Sequence, residues 1–218
     1  LQAGKVDQFE DMVANFQRTS QRIKYALVPV VAAVRGLALG GGCEFQMHSA
    51  RTVAHLESYI GLVEAGVGLL PAGGGLKELA ARASRAAGPG GDVFAELKKT
   101  FETVAMAKVS TSAVEAKELG LLRQDDVVVF NAFELLHVAK AQARALAEAG
   151  YRPPLPARRI QAAGDVGIAT FKMMLVNMLE GRFISPYDYE IAVRIATVLC
   201  GGEVDRGAVV DEEWLLKL

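Results

Sequence analysis

The chain has 218 residues, about half of them hydrophobic and 22% charged, a balance that suits one globular domain or a domain with a small appendage. A formal net charge of −1 gives no bulk attraction for nucleic acid or for an anionic membrane. Two cysteines, Cys43 and Cys200, lie far apart without a CxxC partner and read as reduced thiols of a cytoplasmic protein. The three histidines show no metal-ligand spacing, so no metal site is expected.

Phe9, Val13, Phe16, Ile23 and Leu27 recur at helical spacing and predict an amphipathic helix over 7–27, with Asp7 and Glu10 as a capping-box pair. Pro29 forbids its continuation, and Val30–Val34, ending at Gly36, reads as a buried strand. After Gly40-Gly41-Gly42, residues 43–49 are helical. Arg51–Leu56 and Tyr59–Leu62 read as two further strands. Pro71-Ala72-Gly73-Gly74-Gly75 is a glycine turn into a short helix over 76–83, and 86–92 is a loop.

Residues 93–107 and 112–119 are helical, the second closed by Gly120. Val127–Val129 predicts one more short strand, and 130–149 a long helix closed by Gly150. Pro153, Pro154 and Pro156 mark a linker. The remainder is expected to be all helix: 165–180 closed by Gly181, 186–200 with Ser185 as cap, and a start at Asp211. The apolar run around Phe171, Met174, Leu175 and Met178 reads as core or subunit packing, or alternatively as the lining of an apolar tunnel. Strands early and helices late give an α/β core over 1–150 with a helical C-terminal part over 151–218 of the same module.

Two glutamates carry chemical interest. Glu44 follows the glycine triplet at a strand-to-helix junction, where backbone N–H groups face outward and suit an oxyanion formed only during reaction. Its other reading is an exposed carboxylate complementing the helix dipole. Glu64 stands in the apolar, glycine-rich run Gly61–Gly68; burial there raises a carboxyl pKa and makes a general acid. The alternative is a solvated loop residue.

The run Pro29–Glu44, PVVAAVRGLALGGGCE, resembles the signature of the crotonase, or enoyl-CoA hydratase/isomerase, family. Glu64 followed by Gly68-Leu69-Leu70-Pro71-Ala72-Gly73-Gly74-Gly75 is similar to the family's second block, and Ser112–Leu122 to a third. The resemblance implies a crotonase-like ββα spiral core followed by a helical C-terminal region. It implies Gly41 as an oxyanion-hole donor, Glu44 and Glu64 as the catalytic pair, and Gly40, Gly42, Pro71 and Gly73 at the substrate. The implied reaction is hydration of trans-2-enoyl-CoA in fatty-acid β-oxidation, with Δ3,Δ2-enoyl-CoA isomerisation or a non-catalytic binding domain as alternatives. Coenzyme A enters only as part of the acyl-CoA thioester substrate; no other cofactor is expected in these residues.

The family's first oxyanion donor lies in an upstream segment with no counterpart before residue 29, and the chain begins at Leu1. The tail from Ile184 through Trp214 resembles multifunctional proteins in which a 3-hydroxyacyl-CoA dehydrogenase shares the chain. The expectation is therefore a fragment of such a protein, lacking its first strands, with any NAD site outside it. It would pack on the dehydrogenase domain or form a homo-oligomer.

Overall fold

In the computed structural model, which describes residues 6–218, the elements follow in the order α1 (Val6–Lys24), β1 (Val31–Leu39), α2 (Gly41–His48) and β2 (Arg51–Gly61). A 3-10 turn over Glu64–Val67 leads to α3 (Gly75–Ala87), α4 (Val93–Ala105), α5 (Ala113–Glu118) and β3 (Val127–Val129). Then come a 3-10 turn at Ala132–Glu134, α6 (Leu135–Glu148), β4 (Ile160–Gln161), α7 (Gly164–Glu180), α8 (Pro186–Leu199), β5 (Val209–Val210) and α9 (Glu212–Lys217). The start of the expected core, at residue 1, lies outside the described residues. Among the described residues no helix is long and apolar enough to cross a membrane.

Contacts gather into two compact units, each discontinuous in sequence. The first comprises residues up to Ile60 with Ala72–Gly74 and Ser110–Leu155; the second comprises Gly61–Pro71, Gly75–Val109 and Pro156–Leu218. The first is an α/β layer. Its sheet has the order β1-β2-β3, with β2 and β3 parallel and Val53 opposite Val127. Val53 and Val129 pack on Leu135 and Ala139 of α6, and this β-branched and aliphatic cluster is part of the unit's core. Beside it, a polar network ties the start of β2 to the loop that leads into β3. Asp126 accepts from the Thr52 N–H (2.7 Å) and the Arg123 N–H (2.7 Å), and pairs with the Arg123 guanidinium.

The second unit is mostly helical. Phe171 of α7 is fully buried and its ring meets those of Phe94 and Phe101 at 4.9 and 4.1 Å. Leu175 is buried beside it, whereas Met173, Met174 and Val176 face outward, so one side of α7 is core. On α3, Lys77 is 1% exposed and its ammonium lies 2.5 Å from Glu78 Oε1 and 3.8 Å from Glu212 Oε1.

Several expected boundaries move. Asp7 is within the first turn of α1, not ahead of it. β1 runs past Gly36 to Leu39, because that glycine takes φ 69° and kinks the strand without ending it. The two expected strands of 51–62 are one, since Ser58 is buried and bonds the Val34 carbonyl from inside the sheet. The helix expected from Phe130 begins at Leu135; Asn131 accepts from the Phe133 N–H and caps a 3-10 turn first. At the end of α7 the left-handed residue is Arg182 (φ 59°), and Gly181 stays helical. The C-terminal third is not all helix: β4 and β5 pair antiparallel, Ile160 opposite Val210. Strands of two residues are too short to show a period.

Candidate functional site

The turn from β1 to α2 is built on glycine. Gly40 takes φ 53° and ψ −123°, a conformation closed to side chains, and reverses the chain so that Gly41 opens the helix. The first N–H groups of a helix have no intrahelical acceptor, so those of Gly41 and Gly42 sit at the positive end of α2. A Cβ on Gly42 would meet nothing within 4 Å, so this edge is open.

Glu44 lies in the first turn of α2 and is only 2% exposed. The reading of it as a solvent-facing partner of the dipole is thereby overturned: the side chain turns inward. Its helix is held from behind. Gln46 donates to the Leu121 carbonyl (3.1 Å) and accepts from the Thr52 hydroxyl (3.0 Å), and His48 Nδ1 bonds the Glu44 carbonyl (2.7 Å).

Gly73 closes the same pocket of space. A Cβ placed on it would collide with Glu44 Oε2 and with the ring of Phe16, and one placed on Gly41 would come within 2.8 Å of Phe16 Cζ. Gly41, Glu44 and Gly73 therefore meet under one aromatic ring. That ring stacks on Phe45 with centroids 4.5 Å apart, and the neighbouring Gln17 donates to the Ala72 carbonyl (3.0 Å). Neither Phe16 nor Gln17 stands out in the sequence, where Phe16 reads as one more member of the apolar stripe of α1.

Glu64 and Pro71 belong to the second unit. Glu64 opens the 3-10 turn Glu64–Val67, which ends at Gly68 in the left-handed conformation (φ 75°). Burial pushes the Glu64 carboxyl above its ordinary value of 4.5, against the N–H groups of Glu64 and Val63, which hold it down. Its Oε2 is buried without a hydrogen-bond partner. Pro71 is buried. Thus Gly40, Gly41, Gly42, Glu44 and Gly73 share one unit, and Glu64 and Pro71 the other. Among the described residues no group of three or more His, Cys, Asp or Glu side chains is placed to hold a metal. What the arrangement offers is acid–base chemistry beside helix-terminal N–H donors.

Comparison with known proteins identifies the family. Residues 2–152 match the family model described as enoyl-CoA hydratase/isomerase. A Bacillus subtilis (strain 168) protein named "Probable 3-hydroxyacyl-CoA dehydrogenase" is 44% identical over 207 residues, 95% of this chain but 26% of that protein. A Rickettsia prowazekii (strain Madrid E) protein bearing the name of a fatty acid oxidation complex trifunctional enzyme is 39% identical over 84 residues, 38% of this chain and 12% of that one. The chain thus spans about a quarter of the Bacillus subtilis relative's length. The crystal structure of an enoyl-CoA hydratase from Bacillus anthracis superposes with a TM-score of 0.52 at 24% identity, covering 89% of this chain and 62% of that one, a likeness of fold. With the family model covering most of its length and its glycine turns and α/β layer in place, the chain belongs to the enoyl-CoA hydratase/isomerase, or crotonase, family.

Proposed function

We propose that the chain carries the hydratase chemistry of its family, adding water across the 2,3-double bond of a trans-2-enoyl-CoA thioester. The observation that supports this most is the buried Glu44 carboxylate beside Gly41 and Gly73 at the start of α2. A carboxylate held out of solvent next to free N–H donors is suited to order one water and to take its proton.

In this reading Glu44 removes a proton from water as the water oxygen bonds to C3 of the substrate. The electron pair of the double bond moves through C2 onto the thioester oxygen, where the Gly41 N–H donates to the developing charge. Glu64, whose raised pKa keeps a proton available, delivers it to C2. The product gains the O–H of the water at C3 and a proton at C2, and the proton left on Glu44 returns to Glu64 through solvent before the next turnover. The scheme requires both carboxylates to reach one substrate, and it needs no cofactor beyond the coenzyme A of that substrate.

The test is hydration of crotonyl-CoA, followed by loss of the conjugated thioester's absorbance. Glu44→Gln and Glu64→Gln are each expected to remove most turnover, on the order of 100-fold or more for loss of a general acid or base. Near-full rate in Glu44→Gln with loss in Glu64→Gln would transfer the assignment to Δ3,Δ2-enoyl-CoA isomerisation. Binding of acyl-CoA without any turnover would leave only a binding domain. The name of the Bacillus subtilis relative further supports placing this module beside an NAD-dependent dehydrogenase. A chain carrying both modules is then expected to oxidise the 3-hydroxyacyl-CoA that hydration makes.

A further inference from the structure

We propose that Tyr187, at the start of α8, is a positioning residue for Glu64: it clamps the carboxyl end of the turn on which Glu64 stands. This rests on the reading of Glu64 as a proton donor.

The clamp has two parts. The Tyr187 hydroxyl donates to the Gly68 carbonyl at 2.8 Å across 119 residues of chain, and its ring lies 2.9 Å from where a Cβ on Gly68 would be. Gly68 is the point at which the 3-10 turn closes. Its N–H bonds the Ala65 carbonyl (3.1 Å), and the N–H of Leu69 returns to the carbonyl of Glu64 itself (3.0 Å). Holding Gly68 therefore holds the backbone of Glu64 through two short hydrogen-bonded links.

Tyr187 is in turn fixed by its own helix end. Ser185 accepts from the Asp188 N–H (3.1 Å) and Asp188 accepts from the Ser185 N–H (3.0 Å), a closed capping box with Pro186 between them. The rest of α8 is anchored by buried Ile191, Ile195 and Leu199. An isolated 3-10 turn of four residues is a weak element, with poor hydrogen-bond geometry and little packing of its own. Glu64 Oε2 has no partner and no charged side chain shifts this carboxyl, so its local supports are backbone N–H groups and the turn itself. Asp188, the acidic neighbour of Tyr187 on α8, is engaged by Ser185. A tyrosine that is 60% exposed has solvent available to its hydroxyl, so Tyr187→Phe is expected to change stability little.

Two measurements decide the matter. The Glu64 carboxyl is titrated by 13C NMR in the wild type, Tyr187→Phe and Tyr187→Ala. Loosening the turn admits water, so the midpoint is expected to fall toward 4.5, further in the alanine than in the phenylalanine variant. In parallel, kcat for crotonyl-CoA hydration is expected to fall about tenfold in Tyr187→Phe and on the order of 100-fold in Tyr187→Ala, with KM little changed, as for a small misplacement of a catalytic group. In a Glu64→Gln background both losses are expected to vanish, because the effect passes through Glu64. An unmoved Glu64 titration, or losses that persist undiminished in Glu64→Gln, would overturn the proposal. If Tyr187→Ala fails to fold, Tyr187→Phe carries both measurements. Full turnover in Glu64→Gln would overturn the reading of Glu64 as donor, while the titration would still decide whether Tyr187 holds it.

Discussion

Replacing Gly73 by alanine adds one methyl group where the structure has no room. The Gly73 backbone lies outside the left-handed region, so alanine meets no conformational penalty and the whole effect is steric. The new Cβ would occupy the space of two atoms of the Phe16 ring and of Glu44 Oε2. Phe16 cannot yield freely, since it is stacked on Phe45 and covers Gly41. Overpacking of this kind costs about 1–3 kcal/mol. For a chain of this size that is about 2–12 °C in Tm, readable by calorimetry or circular dichroism. Displacing Glu44 by ~1 Å is expected to cost on the order of 100-fold in crotonyl-CoA turnover. Combining Gly73→Ala with Phe16→Ala separates the two collisions. The stability cost of the methyl group should shrink, by a coupling of about 0.5–3 kcal/mol, whereas turnover should stay low because the overlap with Glu44 remains. If Gly73→Ala lies within about 0.5 kcal/mol of the wild type and turns over normally, the close approach of Gly73, Phe16 and Glu44 is wrong.

Glu64→Gln bears on pH as well as on rate. The folded pKa of Glu64 lies above its unfolded value of 4.5, so between the two the folded chain binds more protons than the unfolded one and loses stability as pH rises. The substitution is therefore expected to stabilise the fold at pH 7 and to leave it unchanged below pH 4.5, in denaturant titrations at the two pH values. Lys77→Met is expected to destabilise by about 3–5 kcal/mol, because it removes one partner of a buried ion pair with Glu78 and takes the ammonium from beside Glu212. Arg144→Ala, which breaks a pair with both side chains mostly exposed, should stay within about 0.5 kcal/mol in the same assay.

The elements with strong local signals are legible from the residues alone. The Ser185-Pro186 start of α8 and the Gly120 and Gly150 stops sit where capping chemistry puts them. The glycine turns on either side of Glu44 and Glu64 are likewise evident as backbone punctuation. What the sequence hides is set by distant contacts. Ser58 looks like a strand break until its hydroxyl is seen bonding Val34 inside the sheet. Lys77 and Glu78 look like a solvated helix face, yet each has its charge answered in the interior. Phe16 has the spacing of a core residue, and nothing in its neighbourhood shows that its ring covers glycines some twenty-five and sixty positions away. Tyr187 is equally silent, since its partner is a carbonyl oxygen that any residue could supply.

The ring of Phe16 over Gly41 and Gly73 has a consequence for affinity. If a ligand atom is to sit against those glycines, the protein's own side chain is its first competitor, present at every concentration and incapable of dilution. The apparent Kd then equals the intrinsic one divided by the fraction of molecules with the ring swung aside; at about 1% open, binding weakens roughly 100-fold. Phe16→Ala, by removing that internal rival, would tighten an acyl-CoA analogue while also removing the ring's packing on Phe45. Affinity and stability would then move in opposite directions from one substitution.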